Sequence, residues 1–284
     1  MTADLSDERE SFAEVAKTAL WTAAARARES RRDDRLFDDP FAATLAGQEG
    51  VALLSHFHPS HAADDGNPFL AIRTRWFDEF LLRSAKPGCQ VVGLGAGLDT
   101  RAYRLDWPET AVVFEVDQAD LLSYKESRLS MIGAEARCEC RRVPVNLTDD
   151  WVGALSDNGF DPARPTIWFA EGLLFYLPES LARNVVARTA ELSAPGSLFA
   201  ADLIGTGIFR FPYLKPFLGK LEAAGSPWRF GTDRPGGFVQ NCGWLVDEVV
   251  EPGAPAADYG RWPASVAPET LRDLPRSYLV EAAV

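Results

Sequence analysis

The feature of this chain that most constrains its fold is a glycine-rich turn that directly follows an apolar segment. The segment ends at Val92 and leads into Gly93, Gly95 and Gly97, as a buried strand leads into a tight turn. Glycines there let the backbone approach a bound ligand closely. Because the dinucleotide fingerprint requires Gly or Ala where this chain has Leu98, the turn favours an adenosyl ligand without a pyrophosphate. Gly93 and Gly95 are candidate contacts, and a turn that binds nothing is the alternative.

Apolar segments alternate with helical patterns along the chain, which predicts an α/β fold with a mostly parallel sheet. In chain order, the strand candidates are residues 90–92, 111–116, 141–145, 166–170, 197–203, 244–249 and 277–284. The last two candidates predict an antiparallel hairpin that closes the sheet. A length of 284 residues is compatible with one such domain.

We expect four zones within this single domain, 1–284. Residues 1–86 form a helical cap, and residues 87–204 form the ligand-binding core. Residues 205–243 are dense in Pro, Gly and aromatic side chains, which predicts a lid insertion over a pocket. Residues 244–284 contain the closing strands.

Acidic residues end two of the predicted strands. Asp117 lies about 20 residues beyond the last glycine, the spacing at which an acid accepts hydrogen bonds from ribose hydroxyls. Glu115 alternates to the same side of the strand and is the competing candidate. Glu171 ends the fourth strand, where a carboxylate is costly unless it binds something. We therefore expect Glu171 to face the cationic end of a ligand.

Two further candidates follow predicted strands. Asn146 and Leu147 come after the third strand, where a side-chain acceptor and an adjacent backbone group could meet an adenine. A turn or N-cap ahead of Thr148 explains Asn146 equally well. Tyr176 could reach a second substrate and is the catalytic candidate, or it could be a core aromatic with its hydroxyl at the edge.

Composition and charge limit the partners. The chain carries 29 basic and 41 acidic residues, a formal charge of −12, whereas nucleic-acid binders usually show a basic stripe and anionic membrane surfaces attract basic segments. We expect neither nucleic acid nor a membrane as a partner. No secretory signal or membrane-length apolar run is visible, so we expect a cytoplasmic protein; its oligomeric state stays open.

The three histidines of the chain lie close together, as His56, His58 and His61. They could form a metal cluster, or they could supply a general base for a hydroxyl acceptor. A polar loop is the simplest interpretation. The four cysteines form no pair of CxxC units, and we expect no metal site.

Several sequence blocks together resemble one known family. They are Arg-Thr-Arg-x-x-Asp (73–78), Gly-Ala-Gly-Leu-Asp-Thr-Arg (95–101), Phe-Glu-Val-Asp (114–117) and Glu-Gly-Leu-Leu-Phe-Tyr-Leu-Pro (171–178), with shorter blocks at 18–20, 26–29 and 39–42. This combination resembles the leucine carboxyl methyltransferase family, and in particular its bacterial branch, which includes polyketide carboxyl methyltransferases of the tetracenomycin type. The resemblance implies the Rossmann-like fold of class I S-adenosylmethionine-dependent methyltransferases.

The resemblance also implies roles for individual residues. Arg73 corresponds to the arginine that binds the carboxylate of the methyl donor, and Gly95 corresponds to the glycine contact. Asp117 matches the ribose-binding acid, and Glu171 matches the glutamate after the fourth strand. The cofactor implied is S-adenosyl-L-methionine, with S-adenosyl-L-homocysteine as its product.

Two positions match the family less closely. Asn146 and Leu147 stand where the family often has Asp-Leu beside the adenine, so the acceptor is kept and the charge is lost. Arg26 or Arg28 corresponds to the basic residue of the N-terminal helix, with Lys17 as a weaker match. We take Arg26 as the candidate for donor binding.

These inferences predict an O-methyltransferase that acts on a small molecule, such as a polyketide-like or aromatic carboxylic acid. A carboxylate is ionised at neutral pH and needs no general base, and the lid aromatics would suit a flat acceptor, although simple packing explains them equally well. The alternatives are a hydroxyl-directed O-methyltransferase, an NAD(P)-dependent oxidoreductase and a non-catalytic S-adenosylmethionine-binding module. Methylation of a protein phosphatase terminus is a further possibility within the family.

Overall fold

A seven-stranded sheet organises the part of the chain that the computed structural model describes, residues 5–57, 68–262, 266–268, 270–271 and 273–284. The strands are β1 (Gln90–Leu94), β2 (Val112–Asp117), β3 (Glu139–Pro144), β4 (Thr166–Ala170), β5 (Leu198–Ile204), β6 (Leu245–Val250) and β7 (Ser277–Ala283). Their order in the sheet is β3-β2-β1-β4-β5-β7-β6.

Helices connect these strands and precede them. They are α1 (Leu5–Ser30), α2 (Ala42–Phe57), α3 (Phe69–Ser84), α4 (Arg101–Arg104), α5 (Ala119–Met131), α6 (Trp151–Asp157), α7 (Glu179–Glu191), α8 (Gly207–Arg210), α9 (Lys215–Ala223) and α10 (Pro235–Gln240). Short 3₁₀ turns cover Leu174–Tyr176, Pro212–Leu214 and Pro255–Ala257. None of the helices within the described ranges has the length and apolar character needed to span a membrane.

The first five strands form the parallel part of the sheet. β1 lies between β2 and β4, with Val92 opposite both Phe114 and Trp168. Every residue of these three strands is buried because helices cover both faces, as is usual for parallel strands. The predicted α/β fold is therefore confirmed.

The last two strands close the sheet in antiparallel fashion, as predicted. β7 lies between β5 and β6, with Val280 opposite both Ala201 and Val249. The two closing strands are far apart in sequence and are not joined by a tight turn: β6 lies at the sheet edge, and β7 lies between it and β5. This mostly parallel sheet with a closing antiparallel strand is the predicted methyltransferase arrangement.

The sheet separates two apolar layers, and the cap packs on one of them. Val91 and Val92 point to opposite faces because side chains alternate along a strand. Val91 belongs to the layer that contains Leu20 of α1 and Phe77 of α3, whereas Val92 belongs to the layer that contains Val185 of α7. The cap helices therefore stand on one side of the sheet, where they can border a site at the strand ends.

Candidate active site

A cavity of about 780 Å³ opens where the carboxyl ends of the parallel strands meet the cap and the lid. Ligands of open α/β sheets bind at this edge. Strand ends contribute Gly95, Asp117 and Glu171 to the lining, α1 contributes Arg26, and the lid contributes Trp228. The predicted site residues therefore converge, although they are far apart in sequence.

One glycine of the turn is required by its backbone conformation. Gly95 has φ 62°, which would strain a larger residue, and a Cβ there would also displace the end of the Leu173 side chain, 2.8 Å away at Cδ1. Gly93 does not line the cavity, because it lies within β1, where a Cβ would lie 2.6 Å from Phe169 Cζ. Gly93 thus makes room for a neighbouring ring, and Gly95 is the glycine at the cavity.

Asp117 faces the glycine turn, and Glu115 does not. The Gly97 N–H donates to Asp117 Oδ2 over 2.6 Å, and the Gln118 N–H donates to Oδ1 over 2.7 Å. Burial raises the pKa of Asp117, although these two donors act in the opposite direction. Glu115 instead forms a buried ion pair with Lys125, 2.7 Å from Oε1 to Nζ. Asp117 therefore lies where a ligand can reach it, and each of its two carboxylate oxygens can still accept another hydrogen bond.

Arg73 and Glu171 meet at the centre of the cavity wall. Arg73 Nε donates to Glu171 Oε1 over 3.0 Å, and Nη1 donates to Asp202 Oδ2 over 2.9 Å. Asp202, at the end of β5, also accepts from the Gly172 N–H over 2.6 Å. Burial raises the pKa of Asp202 against the opposing effect of Arg73. The sequence analysis missed Asp202, although an acid in an apolar strand is the same signal that identified Glu171.

A second arginine extends this network away from the cavity centre. Arg101 Nη1 lies 2.7 Å from Glu171 Oε2, and its Nε lies 2.7 Å from Asp78 Oδ1. Arg101 also contacts Asp99, and Arg104 binds Asp78 with two contacts of 2.6 Å. Burial opposes ionisation of Asp99, but Arg101, Lys125 and Arg104 together outweigh it, and the pKa of Asp99 falls to about 2.

We call the wall formed by Arg73, Asp99, Arg101, Arg104, Asp117 and Glu171, together with Asp78 and Asp202 that pair with its arginines from behind, the ion-pair half of the cavity. Without Asp117, its network contains three arginines and four carboxylates, a formal excess of one negative charge. Burial disfavours the charged form of Glu171, yet Arg101 and Arg73 lower its pKa, so the carboxylate is ionised at neutral pH. The ion-pair half can therefore accept a cationic ligand group.

The remaining predicted contacts lie at the rim. Asn146 is exposed at the cavity edge, and its Oδ1 accepts from the Thr148 N–H over 3.1 Å, which is the turn interaction considered above. Leu147 lines the cavity beside it. Arg26 Nη2 donates to the Leu98 carbonyl over 2.6 Å, and Nε donates to Asp39 over 2.9 Å. Arg26 thus supports the glycine turn through its backbone.

Of the three histidines, His56 alone lies within the described residues. The His56 side chain does not line the cavity, and its carbonyl accepts from Lys220 Nζ over 2.5 Å. His58 and His61 lie outside the described residues. In the described ranges, no group of three His, Cys, Asp or Glu side chains has the arrangement of a metal site.

Aromatic side chains form the opposite wall, which we call the aromatic half: Phe57, Phe175, Tyr176, Phe217 and Trp228. Ring centroids are 6.5 Å apart between Phe57 and Phe217, 5.3 Å between Phe217 and Trp228, and 4.8 Å between Phe175 and Trp228. Tyr176 adjoins Trp228 at 6.4 Å. These residues come from α2, the strand 4 loop and the lid, so the wall exists only in the folded chain.

Main-chain hydrogen bonds fix the lid against the core at this wall. The Phe175 carbonyl accepts from the N–H groups of Arg229 and Phe230, over 2.7 and 3.3 Å. The Ile204 carbonyl accepts from the Thr232 N–H over 2.8 Å. These main-chain bonds hold the segment that carries Trp228 independently of the identity of its side chains, and the buried ring of Phe230 adds core packing.

Comparison with known proteins agrees with this geometry. The sequence profile of the family described as leucine carboxyl methyltransferase matches residues 19–190. A relative from Saccharopolyspora erythraea is 47% identical over 194 residues, which cover 67% of this chain and 68% of the relative. A relative from Mycolicibacterium smegmatis is 38% identical over 264 residues, which cover 87% and 88%. The names of both assign them to the S-adenosyl-L-methionine-dependent methyltransferases.

A solved structure extends the comparison to the fold. A Thermobifida fusca protein, named as a methyltransferase, superposes with a TM-score of 0.56 at 18% identity, covering 89% of this chain and 95% of that one. At this identity the likeness concerns the fold alone. The profile match and the two relatives carry the assignment: this chain belongs to the leucine carboxyl methyltransferase family and is an S-adenosylmethionine-dependent methyltransferase.

Proposed function

We propose that this enzyme transfers a methyl group to the carboxylate oxygen of a small, planar aromatic acid. One observation carries the proposal: the lid contributes two charged residues to the cavity lining, Lys220 and Arg229, and both are basic. They border the aromatic half in a protein whose net charge is −12. A flat ring could pack against the aromatic wall while its carboxylate meets the basic residues. The family description, which names a carboxyl group, points the same way.

A hydroxyl acceptor is the competing hypothesis, and the carboxylates of the described cavity lining that could act as its base are held in ion pairs or by main-chain donors. An alcohol or phenol benefits from a group that removes its proton, and none of the described lining residues is a histidine. Burial raises the pKa of Tyr176 above the ordinary value of 10.0, so its hydroxyl is protonated at neutral pH. An ionised carboxylate needs no such base. This difference favours the acid.

The ion-pair half fits the methyl donor. When bound, S-adenosylmethionine supplies a methyl group on a cationic sulfur. Gly95 lines the cavity in a left-handed backbone conformation that suits glycine, and Asp117 has oxygens free to accept from two ribose hydroxyls. Glu171 would hold the ammonium group, and Arg73 would hold the donor carboxylate with N–H groups beyond its bonds to Glu171 and Asp202. Asn146 and Leu147 would border the adenine.

The residues of the cavity contribute chiefly by alignment. The ion-pair half fixes the donor end, the aromatic half holds the plane of the acceptor, and Tyr176 lies where the two halves meet. Holding the two reactants in line turns a bimolecular reaction into an effectively unimolecular one, which lowers its entropic barrier. The lid and cap also exclude water, which strengthens the electrostatic contacts inside. The protein moves no proton in this scheme.

The proposal is tested with matched pairs of acceptors. Purified protein would receive methyl-labelled S-adenosylmethionine together with planar aromatic acids and, separately, the corresponding aromatic alcohols. We expect label in alkali-labile esters of the acids, and none with Arg73→Met as the donor-site control. Alkali-stable ethers of the alcohols, or label in a peptide that ends in leucine and in no small acid, would overturn the proposal.

A further inference from the structure

The Arg73 guanidinium is held on several sides by its neighbours. Its Nε donates to Glu171 Oε1 over 3.0 Å, and its Nη1 donates to Asp202 Oδ2 over 2.9 Å. The centroid of the Phe69 ring lies 5.6 Å from Cζ. A Cβ built on Gly172 would lie 3.1 Å from Nη1 and 3.2 Å from Nη2, so a side chain there would crowd the guanidinium. The group therefore has little freedom to turn.

One nitrogen of this guanidinium is left open. Nη2 of Arg73 forms no hydrogen bond within the described ranges, yet it is not one of the shielded polar atoms that lack a partner there. It is therefore accessible from the cavity that Arg73 lines. A guanidinium has five N–H donors and no acceptor, so Nη2 can serve only a ligand group that accepts hydrogen bonds. In the proposed function that group is the donor carboxylate.

Asp202 holds the guanidinium from behind. Its side chain is 1% exposed and does not line the cavity, so it does not contact a substrate there. Its Oδ2 accepts from Arg73, and its Oδ1 accepts from the Gly172 N–H over 2.6 Å. Burying a carboxylate is costly unless it is paired, and burial raises the pKa of Asp202 against the opposing effect of Arg73. Both oxygens are thus committed to fixing Arg73 and the loop after β4.

We propose that Asp202 is a positioning residue for the methyl donor: it fixes the plane of the Arg73 guanidinium so that Nη2 meets the donor carboxylate. It thereby makes the enzyme selective for donors that carry this carboxylate. The guanidinium is a rigid planar fork, so bonds to two of its nitrogens from two different residues fix an orientation that one bond does not. Glu171 supplies the bond at Nε, and Asp202 supplies the bond at Nη1. The inference rests on the proposed function, which places the donor carboxylate at Arg73.

A purely electrostatic role for Asp202 would have the opposite effect. A carboxylate beside Arg73 offsets its positive charge and repels a second carboxylate. If this were its only action, removing the charge of Asp202 would strengthen the binding of a donor that carries a carboxylate. If Asp202 positions Arg73, the same removal weakens that binding, because a guanidinium that can turn loses more freedom when the ligand binds. The sign of the effect therefore separates the two roles.

The test compares three ligands by calorimetry. S-adenosylhomocysteine carries the carboxylate, its decarboxylated analogue keeps the ammonium group alone, and methylthioadenosine lacks both. We expect the wild-type protein to bind S-adenosylhomocysteine about 10- to 100-fold more tightly than the decarboxylated analogue, the value of hydrogen bonds to a charged group. In Asp202→Asn this preference should fall to a few-fold, while unchanged binding of methylthioadenosine shows that the rest of the site is intact. Glu281→Gln, which removes a carboxylate paired with Arg83 on the adjacent strand β7, is the matched control and should keep the full preference.

Two further variants separate this inference from the proposed function. Arg73→Met should abolish the preference; if it does and Asp202→Asn keeps or increases the preference, the role of Asp202 is rejected and the proposed function stands. If Arg73→Met keeps the preference, the donor carboxylate lies elsewhere, and the proposed placement of the donor fails together with this inference. If Asp202→Asn does not fold, Gly172→Ala displaces the same guanidinium by crowding it, and full preference in that variant would contradict the proposal. Acceptor methylation plays no part in these measurements.

Discussion

The ion-pair half and the aromatic half of the cavity are held together by different forces. In the ion-pair half, Arg101 lies 2.7 Å from both Glu171 and Asp78, and each charge depends on a buried partner. In the aromatic half, Phe217 packs edge-on against Phe57 and Trp228, at centroid distances of 6.5 and 5.3 Å. Removing one member of a buried ion network leaves charges without partners, whereas apolar packing tolerates side chains of similar size.

One half of this site is therefore fixed and the other is replaceable. In the proposed function the ion-pair half holds the methyl donor, and its carboxylates also hold α3, the glycine turn and β5 together. The aromatic half is built by the cap, the loop after β4 and the lid, and in the same proposal it holds the acceptor. Four experiments, in order of decreasing expected effect, test this contrast.

Loss of Arg101 should have the largest effect. Arg101→Met leaves Asp78, Asp99 and Glu171 with unbalanced buried charge, and we expect the free energy of unfolding to fall by roughly 3–5 kcal/mol, measured by urea denaturation. Arg188→Met is the control, since Arg188 pairs with Glu191 at the surface, and it should cost less than about 1 kcal/mol. If the two variants lose equal stability, the ion-pair half is not the structural centre described here.

Neutralising Asp117 should weaken donor binding strongly and the fold little. In Asp117→Asn we expect the affinity for S-adenosylhomocysteine to fall about 10- to 100-fold, the value of hydrogen bonds to a charged group, measured by calorimetry. Asp120→Asn removes an exposed acid from the first turn of the next helix and should bind normally. Equal affinities in the two variants would remove Asp117 from the donor site.

Lowering the pH should gradually weaken the binding of S-adenosylhomocysteine, as the Asp117→Asn substitution does. Burial raises the pKa of Asp117, so it protonates at a higher pH than an ordinary aspartate. Ribose hydroxyls favour the ionised form, so binding lowers this pKa, and affinity must fall as pH drops through the free-protein value. We expect a decline of at most about tenfold per pH unit in wild-type titrations from neutral to mildly acidic pH. A decline that persists in Asp117→Asn would assign the proton to another group, such as Asp202.

Changes in the aromatic half should have the smallest effect on the fold. For Phe217→Leu we expect a loss of about 1 kcal/mol in unfolding free energy or less, with unchanged affinity for S-adenosylhomocysteine. The range of acids that accept label should change instead. A large loss of donor affinity in this variant would show that the two halves are energetically coupled and would remove the contrast.

Much of the ion-pair half could be predicted because its residues follow strands directly. Asp117 and Glu171 each end an apolar segment, and parallel strands bring such ends to one edge. Asp202 carries the same signal and was overlooked. The partners of Arg101 could not be predicted, because Asp78 lies on α3 and meets Arg101 only after the cap packs on the sheet.

For the aromatic half, the sequence indicated only that the lid is rich in aromatic residues and not which of them meet. The density of rings in the lid indicates a pocket wall, but the contact of Trp228 with Tyr176 depends on how residues 205–243 return to the loop after β4. That path is set by main-chain bonds to Phe175 and Ile204, and main-chain bonds leave no trace in side-chain patterns. The acids could be predicted from the residues next to them in the sequence, whereas the aromatic wall depends on contacts between distant segments.

The same main-chain anchoring bears on how this enzyme could change over evolutionary time. Arg229 and Thr232 attach the lid through their backbone N–H groups without being buried, so most residues other than proline would preserve these two bonds, whereas Phe230 is also part of the core. A lineage could therefore change lid side chains such as Arg229 while the lid stays attached. Lid segments of equal length could likewise be exchanged between relatives by design, provided that the accepting carbonyls of Phe175 and Ile204 stay in place.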